Sequence, residues 1–339
     1  MINLKDFTYD ELKIFLENMG EKAFRAGQIF KWLHSGVTSF DEMTDISKEL
    51  RAKLAQNTYI GNLKPLKKLV SKDGTVKILW ELSDGESVES VVMEYKHGNC
   101  VCVSTQVGCL MGCKFCASTI GGKIRNLTAG EILDEVIFSE KITGKKISNI
   151  VLMGIGEPLD NYENVIKFLK NIGDKRGINI GYRHISLSTC GVVPNIYRLA
   201  DEKMPITLSV SLHAGTNETR DKIMPVNKAY DINELIKACR YYLEKNGRRI
   251  SFEYAMIEGI NDSEKEAHML SLLLKGMLCH VNLIPVNSVK ERNLKRSSES
   301  TIYKFKNYLE KSGLTVTVRR ELGSDISASC GQLRRQCTQ

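Results

Sequence analysis

Apolar residues fall into three short helical stripes at the start of the chain and then into a long alternation. Tyr9, Leu12, Phe15, Leu16 and Met19 recur every three or four positions, as one buried helix face requires. Ala26, Ile29, Phe30 and Leu33 repeat the pattern before the turn residues Ser35-Gly36, and Ile46, Leu50 and Leu54 mark a third stretch. A basic strip follows with Lys64, Lys67, Lys68 and Lys72. Residues 75–82 and 87–94 then read as two strands joined by a turn at Ser83-Asp84-Gly85. From about residue 100 the pattern alternates six times. Strands are expected near 100–105, 148–153, 184–189, 205–212, 250–257 and 279–285, with a last strand near 314–319. Helices are expected near 128–143, 160–172, 193–203, 231–245, 262–276 and 299–312. Thr128 with Glu131 and Asp231 with Glu234 have the spacing of capping boxes at two of the helix starts. Repeated strand-then-helix units give an α/β fold with a parallel sheet, open or curled toward a barrel.

This pattern places the unusual segments. The run from Gly108 to Cys116 follows the first strand of the alternation, and Gly154-Ile155-Gly156-Glu157-Pro158 follows the second. Ser188-Thr189-Cys190-Gly191 ends the third, Ser211-Leu212-His213 the fourth and Pro285-Val286-Asn287 the sixth. Five such segments converge on the carboxyl rim, where α/β barrels carry their active sites.

With 339 residues, 42% hydrophobic, the chain is long enough for one large domain and a smaller one. No apolar run is long enough to span a membrane, and the first residues lack the blocks of a signal peptide, so a cytoplasmic protein is expected. A net charge of +8 suits a polyanionic partner without demanding one. Six of the ten cysteines lie between positions 100 and 190, a clustering that favours metal binding or catalysis over a disulfide framework.

Cys109, Cys113 and Cys116 form a C-x3-C-x2-C loop. Three thiolates this close suit an iron–sulfur cube with one iron left open to a further ligand. A structural zinc site is the alternative, although zinc prefers two cysteine pairs or a Cys/His pair, and no second pair is present.

This loop, with Phe115 before its last cysteine, resembles the radical S-adenosylmethionine (SAM) superfamily, and the Gly156-Glu157-Pro158 segment does too. Residues 102–109, 153–161, 209–214 and 325–333 are similar to the RlmN-type ribosomal RNA adenine-C2 methyltransferases, as are 24–34 and 40–44. The resemblance covers nearly the whole chain. It implies a partial (β/α)6 radical SAM barrel with a small helical N-terminal accessory domain. The expected divisions are an accessory RNA-binding domain over 1–94, the radical SAM core over 95–323, and a C-terminal loop over 324–339.

The resemblance also implies roles. Cys109, Cys113 and Cys116 would bind a [4Fe–4S] cluster. Gly156, Glu157, Ser188, Ser211, Leu212, His213 and Asn287 would bind S-adenosyl-L-methionine, with Gly156 and Glu157 on its methionine amino group. Cys330 would be methylated by one SAM, and a second SAM would supply the radical that takes hydrogen from the S-methyl group. The carbon so activated would add to C2 of adenine. Glu89 would remove the C2 proton, and Cys102 would attack the sulfur of Cys330 and leave a transient disulfide. Read without the resemblance, Cys330 is a small apolar residue, Glu89 a solvated strand residue and His213 a core histidine with a backbone partner. Cys100, Cys190 and Cys337 receive no role.

The implied substrates are an adenosine of 23S rRNA (adenine-2503 by resemblance) and adenosine-37 of some tRNAs, with an electron donor such as flavodoxin. Basic clusters at Lys290, Arg292, Lys295 and Arg296, at Arg319 and Arg320, and at Arg334 and Arg335 could grip phosphates. Two rivals stand. One is the related Cfr-type enzyme acting at C8, against which Ile284-Pro285-Val286-Asn287 and Gly156-Glu157-Pro158 look more like the C2 family. The other is a zinc-stabilised RNA-binding module without chemistry.

Overall fold

The computed structural model describes residues 1–335. The N-terminal stripes form α1 (Tyr9–Asn18), α2 (Phe24–His34) and α3 (Lys48–Asn57), between the short parallel strands β1 (Ile2–Asn3) and β2 (Thr58–Tyr59). Their apolar faces close a separate core running from Leu4 to Ile60. Thr8 starts α1 with a capping box to Glu11, which satisfies two otherwise orphaned N–H groups.

Next come β3 (Lys64–Val70), β4 (Val76–Glu81), β5 (Ser87–Tyr95) and β6 (Gly98–Val103), paired antiparallel in sequence. A hairpin of β7 (Gln106–Gly108) and β8 (Lys123–Asn126) follows. The alternation then runs α4 (Ala129–Thr143), β9 (Ile147–Leu152), α5 (Tyr162–Gly173), β10 (Ile185–Thr189), α6 (Val193–Asp201), β11 (Thr207–Ser211), α7 (Asn217–Ile223), α8 (Ile232–Asn246), β12 (Ile250–Met256), α9 (Glu264–Leu274), β13 (Cys279–Pro285), α10 (Glu299–Lys311) and β14 (Thr315–Val318). One ten-stranded sheet results, in the order β14-β13-β12-β11-β10-β9-β6-β5-β4-β3. The seven strands from β14 to β6 are mutually parallel, and β14 does not close onto β3, so the barrel is partial. The six expected helices all form, and both expected capping boxes are made.

Two expectations change. The division drawn after residue 94 falls inside β5, one residue before its end, and β5 is hydrogen-bonded to β6. The hydrophobic cores part earlier, between Ile60 and Leu63, because the strands from residue 64 onward extend the main sheet instead of covering the helices. The end of the expected C-terminal loop, with Cys337, lies outside the described residues. The helical unit docks on the sheet's covering helices through polar ties. Lys5 pairs with Asp134 of α4 at 2.5 Å and donates to Gly61 O, and Asp6 accepts from Gly130 N.

Candidate active site at the carboxyl rim

The cysteine loop is the tip of the β7–β8 hairpin. Gly108 sits at its bulge with φ +77°, and a Cβ there would lie 1.9 Å from Gly122 O, so only glycine lets the two arms meet. Cys109, Cys113 and Cys116 all line one cleft with about 950 Å³ of open space at the carboxyl ends of the parallel strands. Burial raises all three thiol pKa values, that of Cys109 to about 12, so neutral thiols prevail until a metal centre takes the protons' place. Among the described residues no three Cys, His, Asp or Glu side chains gather closely enough to hold a single metal ion. Three thiols from one loop, with no second cysteine pair in the sequence, suit a multi-iron cluster better than the zinc alternative.

The other rim segments meet in the same cleft. Gly156 has φ +106°, and a Cβ would come within 2.6 Å of Gln106. Glu157 is buried. Its Oε1 accepts from Leu159 N (3.0 Å) and its Oε2 from Cys190 N (2.7 Å), and burial raises its pKa. Ser188, Ser211, His213, Asn287 and Cys330 also line the cleft. His213 lines the cleft and also has the backbone partner expected of a core histidine. Its Nδ1 accepts from Ala255 N (2.8 Å), which leaves the proton on Nε2. Burial pushes its pKa down to about 3, so it is a neutral donor, held edge-on against Phe115.

Three expected residues stand elsewhere. The Leu212 side chain is in the apolar core, and only its backbone adjoins the rim. Cys102 lies behind the cleft, packed with Cys100, Ile155, Ala328 and Leu333. Burial holds its thiol pKa well above the usual range, and the neighbouring Cys330 pushes it further. Glu89 is buried, not solvated: its Oε1 pairs with Lys77 (3.2 Å) and its Oε2 accepts from Arg334 N (3.0 Å). Lys77 in turn donates to Ser327 O (3.1 Å), so this pair grips the C-terminal loop on both sides of Cys330. The expected Cys102–Cys330 disulfide is not formed: all nine cysteines among the described residues are free thiols.

Sequence reasoning missed Glu253 and misassigned Arg319. Both line the cleft, where Arg319 lies 3.9 Å from Glu253 and 3.8 Å from Met153 Sδ. Arg319 follows β14, the seventh parallel strand, whose carboxyl end belongs to the same rim. Glu253 was visible as a lone charge in the run Ile250–Met256. Part of the remaining basic clusters is neutralised. Arg334 pairs with Glu291, Arg335 with Glu86 and Arg296 with Glu321. Exposed lysines instead line the edge strand β3, at Lys64, Lys67 and Lys68.

Known proteins are similar to this chain over nearly its whole length. Residues 2–60 match the ribosomal RNA large subunit methyltransferase N-terminal domain, and residues 103–272 match the radical SAM superfamily. A probable dual-specificity RNA methyltransferase RlmN of Alkaliphilus oremlandii is 58% identical, over 99% of this chain and 98% of that protein. The chain belongs to the RlmN family of radical SAM enzymes. A counterpart of the same name in Clostridium perfringens (strain SM101 / Type A) is 56% identical over 99% and 97% of the two chains. The crystal structure of a radical SAM methyltransferase from Sphaerobacter thermophilus superposes with a TM-score of 0.93 at 43% identity, covering 98% and 99%. RlmN-family membership brings a [4Fe–4S] cluster and SAM as cofactors, and the thiol-only donor set and the glycine-lined cleft fit both. No helix is long and apolar enough to cross a membrane among the described residues.

Proposed function

We propose that this chain methylates C2 of an adenosine in 23S rRNA and in some tRNAs, with Cys330 as the methyl carrier, in the cytoplasm and with a low-potential donor such as flavodoxin. What supports the reading is that Cys330 lines the same cleft as Cys109, Cys113 and Cys116. When bound, the cluster and SAM supply an electron, the methyl group and a hydrogen-abstracting radical. The chain's own residues do the rest. Glu157 and His213 offer an acceptor and a neutral donor to a ligand in the cleft. Asn287 holds the Cys330 carbonyl (2.9 Å) and so fixes the loop that presents its sulfur. Glu89 is the base for the C2 proton, and the Arg334 N–H on its Oε2 must let go before it can act. Cys102 resolves the protein–RNA bond by thiol exchange at the sulfur of Cys330, with Arg319 opposing the upward push on its pKa. RNA phosphates meet the β3 lysines, and the target base leaves its stack to reach the cleft.

The test is anaerobic turnover with methyl-labelled SAM and RNA fragments. Label should appear on Cys330 and in 2-methyladenosine. 8-Methyladenosine as product, the Cfr-type outcome, or an unlabelled Cys330 during turnover would overturn the proposal.

A further inference from the structure

One buried charge has no use in the reaction as described. Arg220, on α7, is fully buried. Its Nε donates to Leu212 O (3.1 Å), Nη1 to Asn227 Oδ1 (3.0 Å), and Nη2 to Cys190 O (2.6 Å) and Ser211 O (3.2 Å). Every acceptor is neutral. Asp221 reaches the guanidinium only at second hand, through Asn227, whose Nδ2 donates to its carboxylate (2.8 Å). An ion taken out of water without a counter-charge is costly to bury. Burial accordingly pushes the Arg220 pKa down, while Cys190 and Cys113, when ionised, pull it back up.

The cysteine loop packs on the end of the same helix. Ile223 at the end of α7 accepts from Lys114 N (2.9 Å), inside the cysteine loop. Pro225 closes on Gly112, where a Cβ would lie 3.3 Å from its ring. Cys113, Cys190, Ile223 and Met224 share one small apolar core. The guanidinium, tied to Cys190 and carried on the helix that ends at Ile223, thus lies behind Cys113, one layer below the residues that line the cleft.

We propose that Arg220 is a positioning residue whose buried positive charge balances the cluster thiolates and sets the potential at which the cluster accepts its electron. This rests on the cluster reading of Cys109, Cys113 and Cys116. The step is a one-electron transfer from an external reductant; no bond forms or breaks and no proton moves. The electron adds negative charge to a centre already bound by three anionic ligands. A fixed cation nearby in a low-dielectric site favours the more negative state. A simple strut tying the ends of β10 and β11 would alter stability but not potential.

The experiment compares the full chain with Arg220→Gln and Arg220→Lys after anaerobic reconstitution. Reduction is followed by electron paramagnetic resonance in a dithionite titration without SAM or RNA. Arg220→Gln should disfavour reduction at least about tenfold, 59 mV for a one-electron couple. Arg220→Lys, which keeps the charge and changes the geometry, should stay within about threefold of the parent. If Arg220→Gln loads no iron, Asn227→Asp carries the test. It keeps Arg220, sets a carboxylate against Nη1, and should disfavour reduction at least threefold. A cluster-loaded Arg220→Gln or Asn227→Asp with the parental potential overturns the proposal, and so does Arg220→Lys behaving like Arg220→Gln. A parental chain that takes up no iron overturns the cluster reading itself.

Discussion

Two buried cations show how differently this molecule treats its domain junction and the layer below its cleft. At the junction Lys5, 1% exposed, meets Asp134, also 1% exposed, at 2.5 Å, and its remaining donor capacity goes to Gly61 O. Cation and anion were buried together, so the junction is electrically closed. Below the cleft Arg220, 0% exposed, meets carbonyls and one amide oxygen. Four of its five N–H donors find acceptors, but none of those acceptors carries a charge. A fold that only needs glue closes its charges, because an open one costs free energy. An open one beside three thiols is the mark of a site built around something anionic.

The buried pair Lys77–Glu89 is the sharpest way to strain that contrast, since it resembles the junction pair yet touches the C-terminal loop. If Glu89 is the base, Glu89→Gln lowers the rate of RNA methylation by about 10²–10⁴. Cys330 methylation by the first SAM should persist, because that step needs no base at C2. Equal losses in both half-reactions, read by labelled-SAM stoichiometry, would make Glu89 a junction-type strut. Asp134→Ala comes next. It strands Lys5 in the interior and should cost about 3–5 kcal/mol in denaturant unfolding. Replacing both partners, Lys5→Met with Asp134→Leu, should recover most of it. A single mutant as stable as the parent would mean that the junction pair is not closed after all.

The legibility of the two regions differs for physical reasons. Helical stripes such as Leu12, Leu16, Ile29 and Leu33 report burial on a local period, so the N-terminal core could be read directly. The rim could be read because strand ends recur at a countable spacing and the resemblance named Cys109, Glu157 and Cys330. Arg220 left no such trace. It lies on a seven-residue helix too short for a period, and its partners sit 7 to 30 positions away in the chain. Arg319 was taken for a surface cation because composition cannot tell an exposed arginine from one turned inward by the seventh strand. The expected division follows the β4–β5 hairpin, which reads as a local unit in the sequence, while only the sheet order shows β3–β5 extending the barrel.

A smaller test addresses the cleft's backbone. Gly108→Ala forces φ +77° on an L-residue and drives its Cβ into Gly122 O, whereas Gly121→Ala at φ +88° meets nothing within 4 Å. Strain alone costs about 1–3 kcal/mol. Gly121→Ala should therefore lose stability but reconstitute its iron fully, while Gly108→Ala should lose iron as well, because the hairpin must open to relieve the clash. Iron and sulfide analysis of both variants decides it; equal iron content would show that the close approach does not shape the loop.

The smallest expected effect sets one histidine from each region side by side. His34, in the helical unit, is pushed by burial down to about 4, and His213, in the cleft, down to about 3. Each is lowered below its unfolded value near 6.5, so each binds its proton more readily in the unfolded chain. The stability each one protects is therefore complete above pH 6.5 and is lost as pH falls from there toward the folded value. One unit below 6.5 the loss is about 1.4 kcal/mol per histidine. His34→Gln should remove its share of that slope while leaving the cleft untouched, since its Nδ1 only accepts from Ile178 N at 3.4 Å. His213→Gln removes the same share but also the neutral donor in the cleft, so it should weaken SAM binding at pH 7.5, where the slope plays no part. Equal SAM affinity in both variants, measured by equilibrium dialysis, would mean that His213 is a core histidine like its counterpart and that the cleft binds its ligand without it.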